Sequence, residues 1–206
     1  MSELLTQLAA AQPLDWLAIL TSIAYVVLAA RGNNWCWLFA AVSTSVWGYQ
    51  SLVVYDLVSD ALLQGFYLVM AGVGVWQWQF GSRSGTALPV SRMTLGQHLF
   101  YLSLAGTCGS ALGYFFSNTL QAAATYPDAL TTAFSVGATF LLVRRKLENW
   151  LYWIVIDAVY VWIYLGQGAQ LFALMMVINI GVAAYGWVNW RRELLAANTV
   201  PTQRLE

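Results

Sequence analysis

Seven apolar runs divide the sequence, and every Lys and Arg falls in alternate connections between them. The nine basic residues are Arg31, Arg83, Arg92, Arg144, Arg145, Lys146, Arg191, Arg192 and Arg204. The intervening connections carry no Lys or Arg. Basic residues close to the ends of membrane spans stay in the cytoplasm under the positive-inside rule. The pattern predicts a polytopic membrane protein with its N-terminus outside and its C-terminus in the cytoplasm.

The composition is typical of an integral membrane protein. Hydrophobic residues make up 60% of the chain and charged residues 9%, against roughly 25% charged residues in soluble domains. A helix needs about 20 apolar residues to cross a bilayer, so 206 residues suit a single transmembrane domain over 1–206. Residues 1–12 contain no Lys or Arg, so we expect no cleaved signal peptide and insertion directed by the first span.

We predict an all-α membrane protein with seven transmembrane helices in a 3+1+3 arrangement. The predicted spans are 14–30, 35–54, 57–80, 97–117, 127–143, 148–166 and 171–190. Short joints between most spans favour antiparallel neighbours, and the longest connection, residues 80–95, has the Gly and Pro content of a linker. We assign repeat one to 13–80, a linking helix to 97–117 and repeat two to 127–190.

The repeat assignment depends on shared landmarks. Asn34-Trp35 begins the second span and Asn149-Trp150 begins the sixth, 115 positions later. At the same offset, Trp47 and Tyr49 match Trp162 and Tyr164. One extra helix separates the two groups of three, so both would run in the same direction through the membrane. Parallel repeats of this kind place a substrate site at their interface, near the middle of the bilayer.

Polar side chains lie at that depth. A carboxylate such as Asp157 at the bilayer centre costs about 2.5 to 3.5 kcal/mol on insertion scales. On helical spacing, Trp153, Asp157, Tyr160 and Tyr164 share one face of the sixth span, and Asn179 lies at a similar depth in the seventh. The first repeat offers Trp47 and Gln64, with further polar groups at Ser43, Thr44, Ser45, Asp60 and Tyr67. We interpret these stripes as the walls of a cavity; the alternative is a hydrogen bond between Asp157 and Asn179 that only holds two helices together.

Such a lining suits a flat ring that carries hydroxyl or amide groups. Aromatic faces bind planar cations, and Asn, Gln and Asp side chains hydrogen-bond hydroxyl and carboxamide groups. A carboxylate would balance a positive ligand charge. The sequence has no nucleotide-binding loop, no cluster of ligands around its one histidine, His98, and no cysteine spacing typical of metal sites. We therefore expect no catalytic residues, no metal, no cofactor and no nucleic-acid partner.

These residues resemble the nicotinamide riboside transporter family, PnuC, over nearly the whole chain. The resemblance rests on Glu148-Asn-Trp150, Asp157, Tyr160, Asn179 and a W-x-x-W pattern at Trp187 and Trp190. It implies a multi-pass protein of the bacterial inner membrane, similar in architecture to the SWEET sugar transporters and assembled as a homotrimer. It also implies facilitated diffusion of nicotinamide riboside, followed by trapping through a separate cytoplasmic kinase.

The predicted substrate-binding residues combine the resemblance with position in the spans. They are Trp47, Gln64, Asp157, Tyr160, Asn179, Trp187 and Trp190. Trp187 and Trp190 come from the W-x-x-W pattern, and Trp47, Gln64, Asp157 and Asn179 come from depth and facing. Thiamine is also a flat cationic heterocycle, so a thiamine transporter remains an alternative, as does a structural membrane protein that transports nothing. Proton coupling through Asp157 is a third possibility.

Overall fold

The computed structural model describes residues 5–6, 9, 11–54, 58–82, 87–119 and 125–199. Between residues 11 and 199 the described chain forms seven long helices and one π-helical turn, and it forms no strand. The helices are α1 Pro13–Ala30, α2 Cys36–Tyr49, α3 Val58–Phe80, α4 Leu95–Thr119, α5 Thr125–Val143, α6 Asn149–Gly166 and α7 Gln170–Thr199. The π-turn, Gln50–Val54, continues α2. Arg83, Arg204 and the Tyr55-Asp56 joint lie outside the described residues.

The predicted spans agree with these helices to within a few residues, except at the C-terminal end of α7. That helix continues to Thr199, nine residues past the predicted end at 190. The prediction stopped where Arg191, Arg192 and Glu193 end the apolar run, but Arg and Glu are good helix formers and the helix continues through them.

Three described helices are both long and apolar enough to cross a membrane by length and composition. They are Pro13–Ala30, Leu95–Thr119 and the Gln170–Ala197 part of α7. The other four fall short because α2 has 14 residues before its π-turn and because α3, α5 and α6 carry more polar or aromatic residues of low hydropathy.

The helices form two groups around the centre of the molecule. We call α1–α3 the first triplet and α5–α7 the second triplet. Between the triplets, α1 packs against α7 and α3 packs against α5. The first helix of each triplet thus contacts the third helix of the other. The remaining helix, α4, packs against α5. Gly109 and Gly113 permit that packing, since a Cβ at Gly109 would lie 2.9 Å from the Leu130 Cα.

The core of the molecule is a layer of four tryptophans at one end of both triplets. We call Trp37, Trp78, Trp150 and Trp190 the tryptophan layer. Ring centroids are 5.3 Å apart in Trp37–Trp78, 5.3 Å apart in Trp150–Trp190 and 5.8 Å apart in Trp78–Trp190. The first two pairs meet edge to face, a favoured aromatic arrangement. All four side chains are buried.

Hydrogen bonds tie this layer across the two triplets. The Trp78 indole Nε1–H of the first triplet donates to the Leu142 carbonyl of the second over 3.3 Å. The Trp190 indole of the second triplet donates to the Ala29 carbonyl of the first over 3.1 Å. Each bond joins the third helix of one triplet to the C-terminal end of the first helix of the other. The two triplets are therefore held together here.

The structure changes the register of the internal match. At the predicted offset of 115, Trp35 is 66% exposed while Trp150 is buried, and Trp162 is 67% exposed while Trp47 faces the centre of the molecule. Trp37 has the same surroundings as Trp150, 113 positions later. The side chains of Trp37 and Trp150 each lie against a glycine, Gly74 and Gly186 respectively. The offset of 115 was wrong because Trp residues also mark membrane interfaces, and Trp35 is one of those.

The basic residues that the structure describes gather at the end of the molecule that holds the tryptophan layer. Residues 87–94 run over this end and pair with the loop before α6, where the Ser91 N–H donates to the Arg145 carbonyl and the Leu147 N–H donates to the Ser91 carbonyl. Glu148 accepts bonds from the Met93 N–H at 2.8 Å and from the Arg92 Nε at 3.3 Å. The connection between α3 and α4 is therefore anchored where the structure describes it.

Candidate binding cavity

A cavity of about 690 Å³ lies between the two triplets, above the tryptophan layer. Every helix of both triplets contributes to its wall. The polar lining residues are Ser22, Ser43, Thr44, Ser51, Asp60, Gln64, Ser135, Thr139, Asp157 and Asn179, together with Tyr25, Tyr67, Tyr160 and Tyr164. Trp37 and Trp150 form the inner end, and Ser51, Asp60 and Phe172 lie toward the opposite end. The volume lies within the range of small-molecule sites.

The lining residues of the two triplets correspond in position. Counting 113 residues along the chain takes Ser22 to Ser135, Trp37 to Trp150 and Thr44 to Asp157. For α3 and α7 the offset is 112, which takes Tyr67 to Asn179. All of these residues line the cavity. The two walls are thus built from equivalent positions with different chemistry, since Thr44 corresponds to the Asp157 carboxylate and Tyr67 to the Asn179 carboxamide.

The Asp157 carboxylate, the Asn179 amide and the Gln64 amide line the cavity and make no hydrogen bond within the described part of the chain. The buried Ser135 hydroxyl of the lining has no partner there either. Asp157 is 5% exposed, and no hydrogen bond joins it to Asn179 among the described residues. The interhelical bond considered above as a purely structural role is therefore not made. Buried polar groups normally have partners, so the carboxylate and the two amides are available to a ligand or to water.

Several hydroxyl groups of the lining are already satisfied by the backbone. The Ser43 hydroxyl donates to the Ala18 carbonyl at 3.2 Å, the Thr44 hydroxyl donates to the Ala40 carbonyl at 2.9 Å, and the Thr139 hydroxyl donates to the Ser135 carbonyl at 2.9 Å. Such bonds within and between helices are what packing alone requires. These three hydroxyls are therefore used in helix packing, whereas the Asp157 carboxylate and the two amides are not.

Four aromatic rings form a continuous row along the outer part of the cavity. The centroids of Trp47 and Phe172 are 5.9 Å apart, those of Phe172 and Tyr164 5.6 Å, and those of Tyr164 and Tyr160 5.7 Å. Tyr160 and Tyr164 are stacked with an angle of 16° between their planes. The row spans both triplets and offers flat apolar faces beside the polar groups.

The structure brings together five of the seven predicted site residues and separates the other two. Trp47, Gln64, Asp157, Tyr160 and Asn179 all line the cavity. Gly48 allows the approach of α3 that places Gln64, because a Cβ there would lie 3.3 Å from the Gln64 Cβ. The five contacts come from four helices that are distant in sequence.

Trp187 and Trp190 do not line the cavity. Trp190 is fully buried in the tryptophan layer, and Trp187 packs half-buried against the same core. Asn179 and Ala183 face the cavity, but at 1.5 Å per residue Trp190 lies about 16 Å beyond Asn179 along α7. The helical face was predicted correctly, whereas the depth placed Trp190 beyond the cavity floor.

A second W-x-x-W spacing does line the cavity. Trp150 and Trp153, on α6, both contribute to the wall, as does Tyr67 on α3. Trp153 and Tyr67 were predicted to lie among the polar groups of the spans, but they were not among the predicted site residues. The signal that could have found them is the same helical face that contains Asp157, read one turn toward Trp150.

The charges of the lining are acidic. Asp60 and Asp157 line the cavity, and no Lys or Arg does so in the ranges that the structure describes. Asp60 accepts a hydrogen bond from the Ser51 hydroxyl. His98 lies away from the cavity, where its Nδ1 is 2.6 Å from the Tyr152 hydroxyl. No group of His, Cys, Asp and Glu among the described residues could hold a metal ion. The cavity thus favours neutral and cationic ligands over anionic ones.

Comparison with known proteins gives a consistent result. The family model described as "Nicotinamide mononucleotide transporter" matches residues 12–192. A nicotinamide riboside transporter PnuC of Neisseria mucosa is 26% identical over 87% of this chain and 73% of its own length. That of Haemophilus influenzae is 26% identical over 90% of this chain and 84% of its own. A crystal structure titled as the vitamin B3 transporter PnuC superposes with a TM-score of 0.70 at 23% identity, covering 87% of this chain and 81% of that one.

Proposed function

Because the chain belongs to the nicotinamide mononucleotide transporter family, a family of membrane transporters rather than enzymes, we propose that it carries nicotinamide riboside across the membrane through the cavity between the triplets. The observation that carries this proposal is that one cavity contains the unpaired Asp157 carboxylate and the unpaired amides of Asn179 and Gln64. Nicotinamide riboside has a cationic pyridinium ring, a carboxamide and ribose hydroxyls. Each of these groups has a complement in the lining.

The acidic lining favours the riboside over the mononucleotide. A phosphate group needs Arg, Lys or a cluster of backbone N–H donors, whereas the cavity offers Asp60 and Asp157 and no Lys or Arg in the described part of the chain. A mononucleotide would bring its negative charge close to two carboxylates. The relatives named above are nicotinamide riboside transporters, which points to the same substrate.

The five lining residues divide the recognition between them. Asp157 balances the charge of the pyridinium ring, and Tyr160 and Trp47 provide faces on which flat rings can stack. Asn179 and Gln64 hydrogen-bond the carboxamide and the ribose hydroxyls. Trp153 joins them as a further aromatic wall. Trp187 and Trp190 then act from outside the cavity, by supporting its floor.

Transport proceeds by rocking of two three-helix repeats, 13–80 and 127–190, joined by the linking helix 97–117. Support for this 3+1+3 arrangement comes from the corresponding lining residues and from the reciprocal packing of α1 on α7 and α3 on α5. Basic residues at the end with the tryptophan layer support a cytoplasmic C-terminus and an external N-terminus. The cavity in this conformation is then closed toward the cytoplasm.

The remaining properties follow from the family resemblance. We expect a multi-pass protein of the bacterial inner membrane, a homotrimer with one pathway per protomer, and facilitated diffusion made effective by a separate kinase that phosphorylates the riboside. Native mass spectrometry of the purified protein tests the trimer. Uptake into proteoliposomes with and without a pH gradient tests facilitated diffusion, since proton coupling would make the rate depend on the gradient and on Asp157.

Isothermal titration of the purified protein with four ligands tests the substrate assignment. We expect saturable binding of nicotinamide riboside, weaker binding of its neutral reduced form, and no binding of nicotinamide mononucleotide. Binding of thiamine alone would move the chain to a thiamine transporter, which the same flat cationic recognition would explain. Binding of none of them by protein that remains folded and monodisperse would favour a structural protein.

A further inference from the structure

One cation of this protein is buried rather than solvated. Arg145 lies in the loop between α5 and α6 and is 7% exposed, although its neighbour Arg144 is exposed. The positive-inside rule explains a basic residue at this end of the bundle, but it does not explain burial. A buried guanidinium needs partners that offset its lost hydration. Burial lowers the pKa of Arg145, and the nearby Glu193 carboxylate acts in the opposite direction.

The partners of Arg145 come from both triplets. Its Nη2 donates to a Glu193 carboxylate oxygen at 2.9 Å, within the second triplet. Its Nη1 donates to the Leu88 carbonyl at 2.8 Å, in the connection that follows α3. The guanidinium carbon lies 5.0 Å from the ring centroid of Trp78, in the first triplet, and 5.1 Å from that of Trp190, in the second. The cation therefore covers the face of the tryptophan layer that points away from the cavity, where the two triplets meet.

The backbone at this point departs from ordinary geometry. Arg145 has φ of 49°, the left-handed region, and among the described residues it is the only non-glycine with positive φ. The corresponding residue of the first triplet, 113 positions earlier, is Gly32 with φ of 69°. Both residues follow a helix end in the same way, with N–H groups bonded to Ala29 and Leu142 carbonyls. An arginine in a conformation that favours glycine indicates that the side chain is needed there.

Gly32 lies directly against the same guanidinium group. A Cβ at Gly32 would lie 2.8 Å from the Arg145 Nη2, so one triplet supplies the guanidinium and the other supplies the space for it. A side chain at Gly32 would therefore have to displace the Arg145 guanidinium from this place. This difference between otherwise corresponding loops is what a contact at the interface of the two triplets requires.

We propose that Arg145 is the latch of the cytoplasmic gate: its guanidinium holds the two triplets together beneath the tryptophan layer, and substrate leaves toward the cytoplasm only when its contacts with Trp78, Leu88 and Gly32 separate. The hydrogen bond to Glu193 and the cation–π contact with Trp190 lie within the second triplet and move with it. Arg145 is thus a positioning residue for transport and touches no substrate. The inference rests on the proposed transport function, and in particular on this end being cytoplasmic.

Thiol labelling from the cytoplasmic side tests the latch without reference to any substrate. The reporter is Thr44→Cys, which lines the cavity, in a background with Cys36→Ala and Cys108→Ala. A membrane-impermeant thiol reagent is applied to inside-out vesicles. Arg145→Ala should raise the labelling rate by about tenfold or more, because losing a charge-assisted hydrogen bond shifts a two-state equilibrium by at least that factor. Arg145→Lys should give a smaller rise, since it keeps the charge and loses the planar two-armed contact.

Two further variants keep the proposal falsifiable. Arg144→Ala removes the adjacent exposed cation and should leave the labelling rate unchanged. Glu193→Gln weakens the hold on Arg145 without emptying the layer and should raise the rate modestly, which covers the case in which Arg145→Ala fails to fold. An unchanged rate in both Arg145→Ala and Glu193→Gln, or an equal rise in Arg144→Ala, would overturn the latch. Failure of the parent protein to bind nicotinamide riboside would instead count against the proposed function and leave the labelling result interpretable.

Discussion

The cavity and the tryptophan layer lie on the same faces of the same helices, yet their polar groups differ. In the layer, the indoles of Trp78 and Trp190 donate to backbone carbonyls of the opposite triplet, while the buried indole N–H groups of Trp37 and Trp150 have no partner in the described chain. In the cavity, Asp157, Asn179 and Gln64 bond to nothing in the described chain. The layer therefore contains hydrogen bonds that join the two triplets, and the cavity contains a carboxylate and two amides that are free to bind a ligand. In the proposed function, the layer closes the pathway and the cavity recognises the ligand.

The largest expected effect lies in the tryptophan layer. Trp190→Ala should lower the free energy of unfolding by about 3 to 5 kcal/mol, the usual cost of emptying a buried tryptophan position. Thermal unfolding of the purified protein measures the change. Trp162→Ala is the matched control, since Trp162 is 67% exposed on α6. A similar loss in both variants would mean that the layer contributes no more than a lipid-facing ring.

The next effect should appear in the cavity and in binding alone. Asp157→Asn should weaken nicotinamide riboside binding by about 1.5 to 3 kcal/mol, or roughly ten- to a hundredfold in Kd, because a charged partner becomes a neutral one. Its thermal stability should stay close to that of the parent. The uncharged reduced riboside should lose much less affinity. Asp128→Asn, outside the cavity lining, is the matched control and should bind both ligands as the parent does. An equal loss of affinity in Asp128→Asn, measured by titration calorimetry, would show that the charge effect is not specific to Asp157.

A pair of glycines on α7 sharpens the contrast at the level of packing. A Cβ at Gly186 would lie 2.6 Å from the Trp150 ring, whereas a Cβ at Gly181 would meet nothing within 4 Å. Gly186→Ala should destabilise the protein by about 1 to 3 kcal/mol through overpacking. Gly181→Ala should be neutral or stabilising by up to about 1 kcal/mol, from helix propensity. Equal melting temperatures would contradict the tight fit of the layer.

The smallest effect is expected in the aromatic row. Trp47→Ala should weaken riboside binding by about 0.5 to 2 kcal/mol, the contribution of one aromatic face to a cation. Trp35→Ala, with its ring 66% exposed, should bind as the parent does. If Trp47→Ala also binds normally, the row serves to cover the outer part of the cavity and does not contact the ligand.

Local patterns allowed much of the fold to be predicted. Apolar runs end at Gly32 and Gly168, both with positive φ, so the helix boundaries follow from residues that can be recognised without a structure. The end of α7 was missed because Arg191, Arg192 and Glu193 stop an apolar run without stopping a helix. The repeat register was missed because Trp35 and Trp37 are both tryptophans, and only burial distinguishes an interfacial ring from a core ring.

Residues of the cavity lining could be predicted where helical spacing sufficed, and not where depth mattered. Asp157 and Asn179 were placed in a cavity because both lie near mid-span on inward faces. Trp190 shares a face with Asn179, but periodicity gives direction and not the position of the floor. The burial of Arg145 could not be predicted, because a basic residue in a connection between spans satisfies the topology rule whether or not it is buried. Its partners Leu88 and Trp78 are far away in sequence.

A structure of the protein with nicotinamide riboside bound tests the central claim most directly. The account predicts ligand density between α6 and α7 and the first triplet, with the pyridinium ring beside the Asp157 carboxylate and within reach of the Asn179 and Gln64 amides. The tryptophan layer should remain intact below it. Density elsewhere in the molecule, with Asp157, Asn179 and Gln64 bonded to one another or to water alone, would contradict the account.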